Sequence, residues 1–526
     1  MLALFVFNTR HIPDLYLIFM KSYILLLFAL LGHQEVFSQK HDYIWVSGDG
    51  NSTTSTNHGG ITIDFNQQPP NAYYNYRKHN LFTTNSSICD SSGHLLFYTN
   101  GCVIAGTDDE VIENGDNINP GSSHNLWCFS YEDGYAGGPQ NSVILPMPDT
   151  IGLYYLFHKS FTIYNNPFDV ITDKFMYSII DMNLNNSKGK VTTKNNVVMD
   201  GILAHGEVLS VKHADGKNWW LITPLRNSNT FYILKFTKDG IVDTFTQTIG
   251  TKPDPKGEGY GQIVFSPDGT KIYRTNPFSP IMAYSFDRET GVFTGFDTIS
   301  YVYGNTPVGE IGCAVSPSGR FLYLGARKNL YQLDLQAPDI SASQTLVAEW
   351  DGFANPFSTL FQQFQLGPGC KIYGLAGGDT RFFHVIHNPD EPGLACNVEQ
   401  RGLPLPTPSG ASMPSFPNYR LGPIDNPGLP CSPVVSTTAP PTPLPAFSVF
   451  PNPVSTVLKI VPNRQYGGQA RLRLYDMTGR SVLEREFDPQ LSSVEVNVQE
   501  LAVGVYFYEI WCEGRVRRVG KVIKRD

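Results

Sequence analysis

Phe265-Ser-Pro-Asp-Gly-Thr-Lys-Ile-Tyr273 is echoed by Val315-Ser-Pro-Ser-Gly-Arg-Phe-Leu-Tyr323 and, more weakly, by Leu366-Gly-Pro-Gly-Cys-Lys-Ile-Tyr373. The terminal tyrosines stand fifty residues apart each time. In every copy a tight turn of Ser, Asp or Gly separates two apolar runs, the pattern of a hairpin. Degenerate copies come earlier: Asp90-Ser-Ser-Gly-His-Leu-Leu-Phe97, Asp149-Thr-Ile-Gly-Leu-Tyr154 and His213-Ala-Asp-Gly-Lys-Asn-Trp219. A repeat of roughly forty to sixty residues with four short strands cannot bury its faces alone and must stack on its neighbours. That pattern indicates a β-propeller, with blades expected to be WD- or YVTN-like.

Six such hairpins lie between about residue 81 and residue 390. Tyr43-Ile-Trp-Val-Ser47 and Gly60-Ile-Thr-Ile-Asp-Phe65 precede them, and Ser415-Phe-Pro-Asn-Tyr419 follows. Pairing the two ends in one shared blade would close a ring of seven over residues 41–422 and leave no open sheet edge. The long, irregular stretch between residues 120 and 200 leaves six or eight blades open.

Composition agrees with an all-β extracellular chain. Aromatic residues are 13%, charged residues only 16%, and Gly 48 with Pro 38 supply many turns. A net charge of −8 without a long basic run argues against nucleic acid as partner. Eight cysteines are too few for a disulfide scaffold; Cys89 with Cys102 and Cys370 with Cys396 are the nearest pairs in sequence. The absence of Cys-x-x-Cys disfavours a thiolate zinc site.

The last eighty or so residues read differently. Pro451-Asn452-Pro453 suits the approach to an edge strand, because proline lacks the backbone donor a central strand needs. Arg471-Leu-Arg-Leu-Tyr475 alternates as a half-buried strand, and Asp476-Met-Thr-Gly479-Arg480 then makes a hairpin turn. Gly504 opens the β-rich run Val505-Tyr506-Phe507-Tyr508, and Gly520-Lys521-Val-Ile-Lys524 closes the segment. These motifs, in this order over residues 447–526, resemble the type A C-terminal sorting domain of type IX secretion cargo. The resemblance implies a small immunoglobulin-like β-sandwich, a type IX translocon as partner, removal of the tail, and attachment of the released body to surface lipopolysaccharide. Its site residues would be Pro451, Asn452, Pro453, Asp476, Gly479, Arg480, Gly504, Val505, Tyr506 and Lys521.

The other end agrees with export. Met20-Lys-Ser-Tyr23 is a basic start, Ile24–Gly32 is too short to span a bilayer stably, and Val36-Phe-Ser38 approaches a cleavage site. Residues 20–39 are therefore expected to be a signal peptide and 1–19 translation from a start set too far upstream; a membrane anchor is the alternative. Residues 423–446, rich in Pro and Thr, read as a stiff linker where processing would cut.

Residues 43–422 also resemble a family of secreted propellers found joined to this sorting domain. The matching text includes Ile88-Cys-Asp-Ser-Ser-Gly-His-Leu-Leu-Phe-Tyr-Thr-Asn-Gly101, Tyr154–His158, Tyr177–Asn185, Val211–Trp220 and Phe416–Tyr419. The resemblance implies fold and location, not an activity.

Candidate chemistry is sparse. His158, His205, His213, His384 and His387 form no metal-binding spacing, and His384 with His387 would face opposite ways on one strand. Asp108, Asp109, Glu113, Asp116 and Asn119 offer oxygen ligands to Ca2+ without the spacing of a known loop. In Trp219-Trp220 one indole is expected between blades, leaving the other for sugar stacking. No nucleophile elbow, phosphate loop or dinucleotide fingerprint occurs. The expected function is a non-enzymatic binding or adhesion module for glycan or protein, working from long loops such as 101–140. The alternative is a hydrolase or lyase using acidic residues in the propeller channel.

Overall fold

The computed structural model describes residues 39–525, apart from 49, 51–57, 133, 166–167, 304–308, 412, 433–446, 463–467, 492 and 513–514. The upstream start, all of the signal peptide but Gln39, and most of the linker lie outside the described residues.

Each of the six hairpins forms where the repeated text stands, and its turn is closed by backbone bonds. Ser266 N–H donates to Lys271 O at 2.8 Å, Ser316 N–H to Phe321 O at 2.8 Å, and Asp90 N–H to His94 O at 2.8 Å. Seven antiparallel sheets follow in chain order. Sheet one holds Ile44–Ser47, Ile61–Asp64 and Asn71–Tyr74; sheet two holds Ser86–Cys89, Leu95–Thr99 and Ile104–Gly106. Sheet three comprises Ser142–Pro146, Leu153–Asn165, Phe168–Asp181 and Lys190–Leu203, and sheet four Leu209–Lys212, Trp219–Pro224, Thr230–Thr237 and Gly240–Thr248. Sheet five comprises Ile263–Phe265, Lys271–Arg274, Ile281–Asp287 and Val292–Ile299. Sheet six has Gly312–Val315, Phe321–Ala326, Asn329–Asp334 and Thr345–Glu349, and sheet seven Phe364–Leu366, Ile372–Leu375, Phe382–Ile386 and Val398–Pro404.

The sheets stack face to face. Along Trp219–Pro224 every residue is buried, because alternate side chains serve two cores. Trp219 and Leu221 pack with Tyr155 and Phe157 of sheet three, while Trp220 and Ile222 pack with Tyr284 and Phe286 of sheet five. The seventh sheet packs on the first: Tyr373, Leu375 and Phe383 share a cluster with Trp45, Ile63 and Phe65.

One expectation about the closure is overturned. Sheet seven draws every strand from residues 364–404 and sheet one from 44–74, so no blade mixes the two ends. Ser415–Tyr419 is not a strand. Pro414 and Pro417 remove the donors a ladder would need. The remaining amides turn to side chains: Met413 N–H donates to Gln363 Oε1 and Phe416 N–H to Gln365 Oε1, both at 3.3 Å. Phe416 still stacks 5.8 Å from Trp45, as its expected position requires.

Residues 405–411 and 413–432 thus form a strap, of which 415–421 lie along the axis lined by the innermost strands. Tyr419 OH donates to Ile144 O at 2.7 Å, and Arg420 pairs with Asp42 through contacts of 2.6 and 2.7 Å. Arg288, itself buried, donates to Gly422 O at 2.6 Å. Cys431 then joins Cys370 in a disulfide. What remains of the channel is a cavity of 110 Å³ lined by Val143, Val208, Ile263, Val315, Phe364 and Phe416 among others.

Neither cysteine pair nearest in sequence forms. The disulfides are Cys102–Cys128 and Cys370–Cys431, while Cys89 and Cys396 are free and buried between sheets.

Residues 447–525 make a separate two-sheet core. Phe447–Phe450, Val457–Pro462 and Val494–Asn497 form one sheet. Ser481–Phe487, Ala470–Tyr475, Gly504–Cys512 and Arg515–Lys524 form the other in that spatial order. Phe447, Leu458 and Val496 meet Leu472, Tyr508 and Ile510 between them.

Candidate functional site

The upper face of the ring is the end at which the first strand of sheets two to seven begins. Sheet three overshoots it. Ser142–Pro146 pairs with Leu153–Asn165 only up to His158, so residues 159–165 run on as an arm about 20 Å long at roughly 3.3 Å per residue. The arm returns along Phe168–Asp181. Beside it the chain from residue 101 to 139 is pinned by Cys102–Cys128 and packs Trp127, Cys128 and Tyr135 against Phe161, Ile163 and Val170. Phe129, Tyr131 and Tyr164 are left exposed on this wall, and Tyr260 and Phe278 on neighbouring loops of the same face.

His205 sits at the foot of the arm. Its N–H donates to Glu258 Oε1 at 2.8 Å, its Nδ1 lies 3.2 Å from Thr172 Oγ1, and its ring is 5.8 Å from Phe161. Burial lowers the imidazole to about 4, helped by the Lys159 and Arg226 charges. Burial also raises the Glu258 carboxyl, with Glu207 adding to it. Beneath them Lys159 is fully buried and donates to Ala204 O at 2.9 Å and to Gly206 O. Burial lowers its ammonium to about 7. Glu207 and Arg274 form a buried pair, with Oε2 2.7 Å from Nη2. The outcome is a basin whose imidazole is neutral at physiological pH and in which Glu207 and Arg274 are paired while Lys159 and Glu258 bond to backbone groups, next to a wall of aromatic rings.

Sequence reading missed Lys159, Glu207, Glu258 and Arg274. A signal was available: Gly206-Glu207, Gly257-Glu258 and Gly309-Glu310 place the same dipeptide ahead of three successive inner strands.

The five histidines are dispersed. His158 is buried in sheet three between Asn119 Oδ1 at 2.6 Å and Ser178 Oγ at 3.1 Å. His213 lies by the turn of sheet four, 3.0 Å from Lys235 Nζ. His384 is buried, accepts from Arg401 N–H and donates to Leu360 O, whereas His387 contacts Glu399 Oε2 at 2.8 Å. In the acidic loop, Asp108 pairs with Lys188 at 3.0 Å, Glu113 with Lys190 at 2.6 Å and Asp116 with Lys194 at 3.0 Å. Asp109 accepts from Tyr98 OH and Lys78 N–H. The loop is stitched to sheet three by lysines. Trp219 and Trp220 are both core, which corrects the idea that one is free for sugar stacking: sheet four is covered on both faces.

In the terminal sandwich the sequence motifs converge on one end. Asp476 Oδ1 accepts from Thr478 N–H and Arg480 N–H, and Gly479 takes φ 82°, which forms the turn after Ala470–Tyr475. That strand end lies opposite Phe507, and Phe507 opposite Lys521. Gly504 pairs with Lys524. Between Pro451 and Pro453, Asn452 donates to Lys521 O and accepts from Ile523 N–H, both at 2.8 Å, and so covers the edge of the last strand. Val505 and Tyr506 start the strand between, Tyr506 pointing into the core.

Residues 448–525 match the family described as secretion system C-terminal sorting domain. The chain therefore carries the type IX export address and is secreted or displayed on the cell surface. No curated protein matches the sequence. Solved structures include β-propeller domains. A functionally unknown protein from Desulfotomaculum acetoxidans matches at 13% identity, covering 71% of this chain and 99% of its own, with a TM-score of 0.35. The β-propeller domain of Myceliophteria thermophila Cps50 (Swd1) matches at 9% identity over 64% and 93%, with a TM-score of 0.30. The Dos1 propeller matches at 10% identity over 64% and 91%, with a TM-score of 0.32.

Proposed function

We propose that the exported body is a seven-bladed β-propeller followed by an immunoglobulin-like tail, and that it binds a glycan on its upper face without turning it over. The observation that carries this reading is the disulfide-pinned wall of Phe129, Tyr131 and Tyr164 beside the neutral His205 and the Glu207–Arg274 pair. Aromatic faces stack on the apolar faces of sugar rings, and neutral or matched polar groups exchange hydrogen bonds with hydroxyls without stranding a charge. The filled channel favours binding over the rival hydrolase or lyase, which needs room and carboxylates there. Asp42 and Arg420, paired to each other, are the charged residues among those lining the cavity.

The test is retention of the secreted full-length protein on immobilised cell-surface polysaccharide, with product release followed in parallel. Replacing Tyr131 and Tyr164 by Ala should weaken retention about threefold to tenfold each, the worth of one aromatic contact. Release of sugar fragments, or unchanged retention in the double variant, would refute the reading.

A further inference from the structure

A solvent-facing strand face usually carries polar side chains, and the sorting domain breaks that rule in one place. In Gly504–Cys512 the alternation sends Tyr506, Tyr508, Ile510 and Cys512 into the core. The outward positions hold Phe507, 46% exposed, and Trp511, 37% exposed. Val519, 59% exposed, lies opposite Glu509 on the last strand. The second sheet covers only the inner face, and on the outer face Trp511 has the side chains of Arg471, Arg473 and Glu486 beside it.

The outer face is also held in shape. Glu509 Oε2 accepts from Tyr475 OH and from Trp511 Nε1, both at 3.1 Å, and thereby fixes two aromatic rings side by side. Met477 and Val503 extend the apolar surface at the end where the turn of Asp476–Arg480 meets Gly504. Its border carries both signs along one side, where Arg471 pairs with Glu486 and Arg473 with Glu484, and is basic at the end, where Arg480 is 80% exposed beside Asp476 and Lys521 stands opposite Phe507. Residues 447–526 hold 12 Lys and Arg against 9 Asp and Glu, whereas residues 40–432 hold 25 against 36. Tail and body thus differ in sign.

The motif residues, by contrast, form turns and edges. Asp476 and Gly479 make a turn, Asn452 ties down an edge, and Gly504 starts a strand. Such residues shape the domain, and of the motif side chains Arg480 and Lys521 reach the border of the strip. From this we infer that the export machinery reads the tail through the strip Phe507–Trp511–Val519. The occupant is a protein receptor with an apolar surface bordered by carboxylates. This rests on the match of residues 448–525 to sorting domains and not on glycan binding, so failure of either leaves the other standing.

The test is fractionation of cells making the full chain with Phe507→Ser, Trp511→Ser and Val519→Thr together. None of the three belongs to the core cluster between the two sheets, and because Phe507 and Trp511 are still more than half covered, folding of the variant is checked by its protease resistance. The expected result is a fall of at least about tenfold in surface-exposed protein, with the chain accumulating in the periplasm and resisting protease like the parent. Leu491→Ser, an exposed apolar residue in the Asp488–Leu491 turn, should be exported normally. If the triple variant proves protease-sensitive, Val519→Lys alone serves, because a single charge at the rim should block docking without touching the core. Normal export of the folded variants would overturn the inference. So would a parent chain that dimerises, or binds phospholipid vesicles, through this strip.

Discussion

The strap and the arm are the two places where the chain leaves the repeated sheets, and they leave in opposite directions. The strap, residues 405–411 and 413–432, runs inward and is held by Tyr419, the Asp42–Arg420 pair, Arg288 and a disulfide, so it touches sheets on every side of the axis. The arm, residues 159–165 and 168–172, runs outward and packs on the pinned loop on one side and on residues 203–206 and Arg226 on the other. Material added inside a ring is shared by all of it and acts on global stability. Material added outside is borne by one sheet and can carry specificity without the ring depending on it.

That contrast predicts its largest effect at Arg420. Its side chain is 9% exposed and that of Asp42 4%, so Arg420→Ala strands a buried carboxylate. The expected loss is about 3–5 kcal/mol, read as a lower urea midpoint in which every sheet melts together. A separate early transition confined to sheets one and seven would show that the strap is not shared.

The arm should behave otherwise. Removing the Cys102–Cys128 bond, which closes a span of 26 residues, should cost about 3 kcal/mol by chain entropy. We expect that loss to stay local. In the Cys102→Ser, Cys128→Ser variant, amide exchange should quicken across residues 119–139 and 159–172, while the midpoint of the ring stays close to the parent's. A matching fall in the ring's own midpoint would erase the distinction between the two departures.

What the sequence disclosed follows the same division. Every Ser/Asp-Gly turn was legible, because such turns are decided by a few local residues, and those hairpins stand where they were expected. The alternation of Arg471–Tyr475 and the turn at Asp476–Arg480 were legible for the same reason. Pairing of the two chain ends puts Phe416 near Trp45, where it lies, but its segment reads as a strand, since two prolines mark a missing ladder without saying what replaces it. The arm was hidden. Its strand text looks like any other, and only partner lengths, Ser142–Pro146 against Leu153–Asn165, reveal the overhang. The basin was hidden too, because Lys159, Glu207, Glu258 and Arg274 come from four distant places that only the ring brings together. Exposed Phe507 and Trp511 could not be told from core aromatics without knowing which face the second sheet covers.

The smallest effect separates the two regions by pH. His158 and His384 are equally buried, and burial lowers both imidazoles to about 3. An unfolded chain takes up these protons near pH 6.5, whereas the folded chain does so only near pH 3. Each histidine therefore favours unfolding as pH falls through that window, by up to about 1.4 kcal/mol per pH unit. His384 lies in sheet seven, within the plain scaffold, so its cost should appear in global unfolding. His158 stands at the root of the arm and bonds to Asn119 of the pinned loop, so part of its cost can be relieved by local opening. Between pH 6.5 and 5.5, the protection factors of the arm and loop amides, exchange rates corrected for the intrinsic fall with pH, should drop in the parent and much less in His158→Gln. His384→Gln should flatten only the pH dependence of the urea midpoint. If both variants changed the same observable by the same amount, of order 1 kcal/mol over that unit of pH, arm and ring would open as one body and the division would fail.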